Sequence, residues 1–167
     1  FLAKLDYNPD NIKKETFDFI HFFTDIQNRA QTLVKQKQIN LTAEIPEVSV
    51  TLEGNKLHLS RLFFNLIQNA VKFTPSGGKI NLIASPEGNV LKVSISDTGL
   101  GISEEDLPEV FQRFFHKEKS QAESADSIGL GLSIAKSIAK FHNGDIEVKS
   151  KLGEGTTFTV ILPILHA

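Results

Sequence analysis

Two amides and one ammonium group are spaced so that a helix would align them. Asn65, Asn69 and Lys72 stand at positions i, i+4 and i+7, which share one face of an α-helix. Amide oxygens and an ammonium group in such a row could hold a hydrated magnesium ion and the phosphates that it bridges. A solvated helix face has the same spacing, so this row alone supports a phosphate site only weakly.

A carboxylate followed by two glycines is the second candidate. The run after the predicted strand 90–96 reads Asp97-Thr98-Gly99-Leu100-Gly101-Ile102. A carboxylate at a strand end, beside closely approaching backbone, could accept a hydrogen bond from the exocyclic amine of a purine. The alternative is a tight turn before a short helix, because Ser103 and Asp106 have the spacing of a capping arrangement.

Paired glycines at the start of a predicted helix are the third candidate. This run reads Gly129-Leu130-Gly131-Leu132-Ser133-Ile134. Free backbone N–H groups and the helix dipole favour an anion at such a position. The run is neither a Walker loop nor G-x-G-x-x-G, because Ile134 replaces the third glycine. Close packing of the helix would also explain the two glycines.

The apolar periodicity predicts the elements that position these residues. Helical spacing predicts helices over about 18–37, 55–73 and 129–142, and alternation predicts strands around 39–45, 80–84, 91–95, 146–148 and 158–162. The later strands come in hairpin-like pairs. We therefore expect an α+β two-layer sandwich, with helices on one face of a mixed sheet, rather than a doubly wound parallel sheet.

Two segments have no predicted core element. Residues 116–127 carry no apolar side chain larger than Ala, which is typical of a lid, a binding loop or a disordered segment. Residues 1–5 resemble the last turn of a helix, which Asn8 and Pro9 would end.

Composition narrows the function classes. The 167 residues suit one domain with a short leader. The net charge of −2 argues against nucleic acid as a partner, and the absence of Cys excludes disulfides, thiolate zinc sites and cysteine nucleophiles. No apolar run approaches the roughly 20 residues of a membrane span. Since the chain has no Met, we expect the natural protein to continue upstream of Phe1.

The order of the motifs resembles the histidine-kinase branch of the GHKL ATPase superfamily, over residues 6–163. Four runs resemble its N box, first glycine box, F box and second glycine box: residues 65–74, 97–101, 111–115 and 129–133. Residues 142–145 and 153–158 resemble its closing pattern. Two departures are Ile128, where many members have Ser, Thr or Gly, and Asn143, where Gly is common.

The resemblance implies a Bergerat-type sandwich that binds ATP and Mg²⁺ beneath a mobile lid. Asp97 would bind the adenine amino group, Asn69 would be the main magnesium ligand with Asn65 beside it, and Lys72 would reach the phosphates. The resemblance also implies an adenine pocket lined by Phe73 and Ile102, with Gly99 and Gly101 of the turn. The backbone of Gly129, Leu130 and Gly131 would bind the phosphates. Phe114 and Phe115 would anchor the lid. Ordinary core aromatics are an equally good interpretation of the last two.

Asn65 separates the branches of the superfamily. Its hydrolases (type II topoisomerases, mismatch-repair ATPases and heat-shock chaperones) carry there a Glu that activates water, as do its anti-sigma-factor and mitochondrial protein kinases. An amide cannot act as a general base. The resemblance therefore implies transfer of the γ-phosphoryl group to a histidine, which is already a nucleophile.

The acceptor histidine is absent from the chain. None of the five histidines is followed by an acidic residue: His21, His58, His116, His142 and His166. We expect residues 1–15 to be the end of a dimerisation helix with its linker and residues 16–167 to be the catalytic domain. The expected partners are the dimerisation (histidine-phosphotransfer) helices of the same kinase and, indirectly, the receiver domain of a response regulator.

We expect the fragment to be a cytoplasmic monomer with no membrane contact and little turnover of its own. Two other functions stay open. One is an ATPase clamp, against which Asn65 argues. The other is a degenerate pseudokinase that acts as an interaction module, against which Asn69, Asp97 and the paired glycines argue.

Overall fold

The computed structural model describes residues 12–112 and 131–166. Several predicted features lie outside the described residues: the leader, the polar stretch 116–127, the lid anchors Phe114 and Phe115, and Gly129 and Leu130 of the second glycine box. Elements in chain order are β1 Glu15–Asp18, α1 Phe19–Lys37, β2 Asn40–Glu44, β3 Thr51–Gly54, α2 Lys56–Phe73, β4 Lys79–Glu87, β5 Val90–Asp97, a 3₁₀ turn Leu107–Glu109, α3 Gly131–Phe141, β6 Asp145–Lys151 and β7 Gly155–Pro163.

Five strands form the main sheet, in the order β2-β4-β5-β7-β6. Strand β2 pairs with β4 in parallel, and every other neighbouring pair is antiparallel. This mixed sheet confirms the predicted α+β class. Alternate residues of β5, for example Val93 and Ile95, are fully buried, and the helices cover that face. The predicted two-layer arrangement is therefore confirmed as well.

Strands β1 and β3 were not predicted. They form a separate antiparallel ribbon, in which Phe17 pairs with Leu52. Each strand has only four residues, which is too short for alternation to stand out from chance. The ribbon leads directly into α1 and α2, whose first turns are capped by the side chains of Asp18 and Asn55.

An aromatic cluster fills the space between α1 and α2. The rings of Phe19 and Phe23 stack with centroids 5.1 Å apart, and Phe63 of α2 meets Phe23 edge-on at 5.3 Å. All three side chains have no exposed surface. Burial of each such ring contributes roughly 1.5–3 kcal/mol relative to leaving it in water. Within the described residues, no helix combines the length and apolar character that a membrane span requires.

The turn after α3 explains the departure at Asn143. Its φ of 62° lies in the left-handed region, which Gly adopts freely and Asn adopts more easily than most residues. The N–H of Gly144 donates to the carbonyl of Ala139 at 2.8 Å and closes the helix end. Asn143 therefore takes the place of a glycine without changing the turn that leads into β6.

Candidate functional site

Asp97 lies at the end of β5, between β4 and β7, where it pairs with Ile80 on one side and Thr156 on the other. Its Oδ1 accepts hydrogen bonds from the N–H groups of Gly99, at 2.8 Å, and Thr156, at 3.3 Å. Among the described residues, no group donates a hydrogen bond to its Oδ2. One carboxylate oxygen is thus fixed by the fold, and the other is available to a ligand.

The pKa of the Asp97 carboxyl agrees with one oxygen being bonded by the fold and the other lacking a donor. Burial raises the pKa of this carboxyl above its ordinary value, and the hydrogen bonds from Gly99 and Thr156 oppose the shift without cancelling it. Asp97 is half-buried, and an anion that is partly removed from water with incomplete hydrogen bonding destabilises the fold. A donor on a bound ligand would satisfy the remaining oxygen.

The two glycines of the Asp97 turn allow close backbone contacts. A Cβ on Gly99 would lie 2.4 Å from the carbonyl oxygen of Phe73, and a Cβ on Gly101, whose φ is 78°, would lie 2.2 Å from that of Lys151. The N–H of Leu100 also donates to the Phe73 carbonyl at 3.2 Å. The turn is therefore wedged between the end of α2 and the end of β6, and neither glycine tolerates a side chain.

The alternative interpretation of this run is correct in part. The N–H of Asp106 donates to Ser103 Oγ at 3.2 Å, as the spacing of these two residues predicts. The element that follows is the short 3₁₀ turn Leu107–Glu109 rather than an α-helix, and among the described residues no side chain caps it.

The structure brings the amide-bearing face of α2 to the start of α3. Asn65 Nδ2 donates to the carbonyl of Gly131 at 3.0 Å, and a Cβ on Gly131 would approach the Asn65 amide carbon to 4.0 Å. Asn69 follows one turn later, half-buried. Among the described residues its side chain makes no hydrogen bond. The Lys72 ammonium lies 5.3 Å from the centroid of the Phe73 ring, at the end of α2 that contacts the Asp97 turn.

Both predicted adenine-pocket side chains lie beside that turn. Phe73 and Ile102 are half-buried, so part of each apolar surface is open to a ligand. The Phe73 carbonyl holds Leu100, and the Ile102 N–H donates to Ser150 Oγ at 2.7 Å. The Asp97 turn, Phe73 and Ile102 thus lie together at one end of β5 and α2, whereas Asn65 lies near the middle of α2, against the start of α3.

Two residues in this assembly were not among the predicted site residues. Thr156 supplies the second N–H to Asp97 Oδ1, and its hydroxyl lies 2.8 Å from that of Ser150. The closing pattern at 153–158 contains Thr156, but only the register of β5 against β7 places it opposite Asp97. The sequence offered one indication of Ser150: in β6 it is a polar residue on the face of the strand that Ile146 and Val148 turn toward the core.

The mixed sheet, the carboxylate at the end of its central strand and the amide-bearing helix are those of an ATP-binding domain of the histidine-kinase type. The sequence profile of the family described as "Histidine kinase-, DNA gyrase B-, and HSP90-like ATPase" matches residues 54–166. The chain belongs to this family. ATP is accordingly a ligand of this domain.

Two similar relatives are sensor kinases by name. The autoinducer 2 sensor kinase/phosphatase LuxQ of Vibrio parahaemolyticus is 34% identical over 97% of this chain and 20% of its own. The sensor histidine kinase WalK of Bacillus subtilis is 30% identical over 97% of this chain and 27% of its own. The chain thus spans only about a fifth to a quarter of these relatives.

The fold is also that of a solved catalytic domain. The nucleotide-free catalytic domain of histidine kinase ThkA superposes with a TM-score of 0.79 at 23% identity, covering 91% of this chain and 98% of that domain. At this identity the likeness concerns the fold alone. It confirms the predicted helices packed on a mixed sheet.

Proposed function

We propose that this domain binds Mg-ATP and donates the γ-phosphoryl group to a histidine on separate dimerisation helices of a two-component sensor kinase. The observation that carries the proposal is the divided role of the Asp97 carboxylate. Its Oδ1 is held by two backbone N–H groups, at 2.8 and 3.3 Å. Its Oδ2 remains as an acceptor for the 6-amino group of adenine.

The amide groups of α2 fit a magnesium ion that arrives with the nucleotide. Among the described residues, no group of three or more His, Asp or Glu side chains could hold a metal by itself. Asn69 and Asn65 offer neutral oxygens, and the Nδ2 bond from Asn65 to Gly131 leaves its amide oxygen free to face a cation. Magnesium bound by few protein ligands keeps waters and substrate phosphates in its shell. When bound, it would neutralise charge on the transferring phosphoryl group.

The chain's own residues then act by positioning. Lys72 would contact the phosphates, and the backbone N–H groups of Gly129, Leu130 and Gly131 would hold them at the start of α3. Asn65 cannot deprotonate water. The bond from the γ-phosphorus to its bridging oxygen breaks as an imidazole nitrogen attacks, and ADP leaves. Since that nitrogen is already nucleophilic, alignment is the domain's main contribution.

The remaining parts of the proposal concern the intact kinase. We place the domain at residues 16–167 and the end of a dimerisation helix with its linker at 1–15. The first strand of the domain, β1, begins at Glu15, one residue before this boundary. The phosphohistidine would serve a receiver domain of a response regulator. We infer a cytoplasmic domain because its substrate is ATP, and a monomer when separated from the dimerisation helices.

A comparison of adenine with hypoxanthine tests the proposal. Calorimetry would measure binding of non-hydrolysable ATP and ITP analogues, with and without magnesium, to the parent and to Asn69→Asp. ITP carries a 6-oxo acceptor in place of the amine, so we expect its affinity to be at least about tenfold lower. We also expect magnesium to strengthen binding, and Asn69→Asp to change that effect.

Other outcomes would favour the alternatives. Absence of binding at millimolar nucleotide would leave a pseudokinase interaction module as the better account. Steady hydrolysis of ATP by the isolated domain would favour an ATPase clamp. If ATP binds, phosphohistidine formed on dimerisation helices added in trans would test the transfer step itself, and its absence would contradict the proposed acceptor.

A further inference from the structure

One hydroxyl group outside the predicted site, that of Ser150 in β6, joins two neighbouring segments: the end of the Asp97 turn and the start of β7. Ser150 Oγ accepts a hydrogen bond from the N–H of Ile102 at 2.7 Å and donates to the carbonyl of Gly155 at 2.9 Å. It also lies 2.8 Å from Thr156 Oγ1. A hydroxyl has one proton to donate and two lone pairs to accept. Because its proton is used on Gly155, Ser150 accepts from both Ile102 and Thr156, and its hydrogen-bonding capacity is full.

The position of Ser150 in β6 is unusual for a serine. Ile146 and Val148 precede it on the same face of the strand, and they are buried and half-buried respectively. The alternation of β6 therefore calls for an apolar side chain at position 150. Since Ser150 satisfies all three of its hydrogen-bonding positions, the polar group at this place is explained by the contacts that it makes rather than by exposure to water.

These contacts hold both sides of the Asp97 turn. On one side, Thr156 donates its N–H to Asp97 Oδ1 at 3.3 Å. Next to it, Gly155 approaches the Asp97 backbone so closely that a Cβ would lie 2.0 Å from the Asp97 carbonyl oxygen. On the other side, Ile102 ends the turn. Ser150 thus joins the residues that contact Asp97 to the residue that closes the loop.

We propose that Ser150 is a positioning residue of the nucleotide site. It fixes the distance between the Asp97 carboxylate and Ile102, the acceptor and the apolar wall between which adenine would lie. If the Ser150 hydroxyl were removed, the Ile102 N–H would lose its acceptor. The hydrogen bond from the Gly153 N–H to the Leu100 carbonyl, at 2.9 Å, would still hold the turn against the end of β6. This inference rests on the proposed function, because it assigns Ser150 to the same site without contact to the nucleotide.

The test compares Ser150→Ala with Ser94→Ala. Ser94 lies on β5, and its hydroxyl pairs with that of Thr159 at 3.4 Å, away from the turn. We expect Ser150→Ala to weaken binding of the ATP analogue about five- to thirtyfold, and Ser94→Ala to change it less than about twofold. Ser150→Thr, which keeps the hydroxyl, should recover most of the affinity.

The ratio of ATP-analogue to ITP-analogue affinity separates positioning from general destabilisation. If Ser150 positions the adenine acceptor, Ser150→Ala should lose more affinity for the ATP analogue than for the ITP analogue, so that the ratio falls. A loss that is equal for both analogues would overturn the inference. So would binding by Ser150→Ala that matches Ser94→Ala.

Folding is checked by circular dichroism before each titration. Should Ser150→Ala fail to fold, the nearly isosteric Ser150→Cys, a weaker hydrogen-bonding group, replaces it, and the same fall in the ratio is expected. Unchanged binding by this second variant would likewise contradict the inference. If the parent binds neither analogue, the proposed function fails, whereas normal parent binding with unaffected Ser150 variants overturns only the role of Ser150.

Discussion

Different forces hold together the aromatic cluster between α1 and α2 and the Asp97 turn at the end of the central strand β5. Phe19, Phe23 and Phe63 make ring contacts at 5.1 to 6.2 Å and have no exposed surface. The turn contains two glycines against neighbouring carbonyls, and its polar contacts join side chains to backbone N–H groups. Burial of apolar surface stabilises the first region. Close backbone packing at the glycines and hydrogen bonds between side chains and backbone N–H groups hold the second in place.

Because of this difference, we expect the aromatic cluster to determine the stability of the domain and the Asp97 turn to determine nucleotide binding. Removing a ring from the cluster lowers the free energy of unfolding but leaves the nucleotide contacts of the folded molecules unchanged. The turn instead contains a half-buried carboxylate. Burial raises the pKa of Asp97, so its charge is expected to destabilise the free protein. A group that destabilises the fold and lies at the ligand site serves the ligand. Substitutions in the cluster should therefore change the free energy of unfolding, and substitutions in the turn should also change nucleotide affinity.

The largest effect is expected at the centre of the aromatic cluster. Phe63→Ala should lower the free energy of unfolding by about 3–5 kcal/mol, since it removes a fully buried ring and leaves a cavity. Its half-buried neighbour Phe64 provides the matched control, and Phe64→Ala should cost less than half as much. Urea unfolding measures both, and equal losses would show that burial does not set the cost.

Replacing a glycine should have the next largest effect on the free energy of unfolding, and the size of that effect should depend on what surrounds the glycine. Gly101→Ala meets both a φ of 78° and a carbonyl 2.2 Å from its new Cβ, whereas Gly88→Ala meets a φ of 62° in open space. The left-handed conformation alone costs roughly 1–2 kcal/mol. We expect Gly101→Ala to cost more than Gly88→Ala in urea unfolding. Only Gly101→Ala should also lose affinity for the ATP analogue. An unaffected affinity would show that the turn is not part of the site.

A pH dependence is expected from a buried histidine far from the turn. His142 Nε2 accepts from the Asn55 N–H at 3.0 Å, and Nδ1 donates to the Ile138 carbonyl at 2.8 Å. Burial holds the pKa of His142 below its ordinary value of 6.5, the Ile138 bond opposes this, and the charges of Lys14 and His58 add to the lowering. The unfolded chain therefore binds the proton more readily than the folded one.

Stability should accordingly fall as the pH falls below about 6.5 and continue to fall until the folded-state pKa is passed, by at most about 1.4 kcal/mol per pH unit for one group. Urea unfolding at a series of pH values measures the slope. His142→Gln should flatten it without removing it, because burial lowers the pKa of His58 in the same direction. A slope that His142→Gln leaves unchanged would contradict this assignment.

The smallest effect is expected at the C-cap of α2. Thr74 is fully buried, and its hydroxyl has no hydrogen-bond partner within the described part of the chain. Thr74→Val removes that group at equal shape, so the free energy of unfolding should stay unchanged or rise by up to about 1 kcal/mol. Thr156→Val, which removes a bonded hydroxyl, is the contrasting variant and should lower stability. Equal losses in both would show that Thr74 has a partner, such as a buried water.

What could be predicted from the sequence depends on the range of the contacts. The apolar residues of the helices α1 and α2 repeat at spacings that are visible locally, and both helices are confirmed. Strands β1 and β3 are short, and each is defined only by the other, more than thirty residues away. Their pairing leaves no local pattern.

The site divides in the same way. Asp97, Gly99 and Gly101 follow one another in a turn, so their chemistry is visible in a single run of residues. Ser150 and Thr156 reach Asp97 and Ile102 only through the register of β5, β6 and β7. A strand register is a long-range property, and the sequence motif alone could not assign these two hydroxyl-bearing residues to the turn.

The most direct test of the central claim is the thermal unfolding of Asp97→Asn, with and without the Mg-ATP analogue. An amide oxygen can still accept hydrogen bonds from Gly99 and Thr156, while the half-buried charge is gone. We expect the Tm of Asp97→Asn without nucleotide to equal or exceed that of the parent, and we expect no rise when the nucleotide that raises the parent's Tm is added. A lower Tm without nucleotide, together with a nucleotide-induced rise like the parent's, would show that the carboxylate serves the fold rather than the ligand.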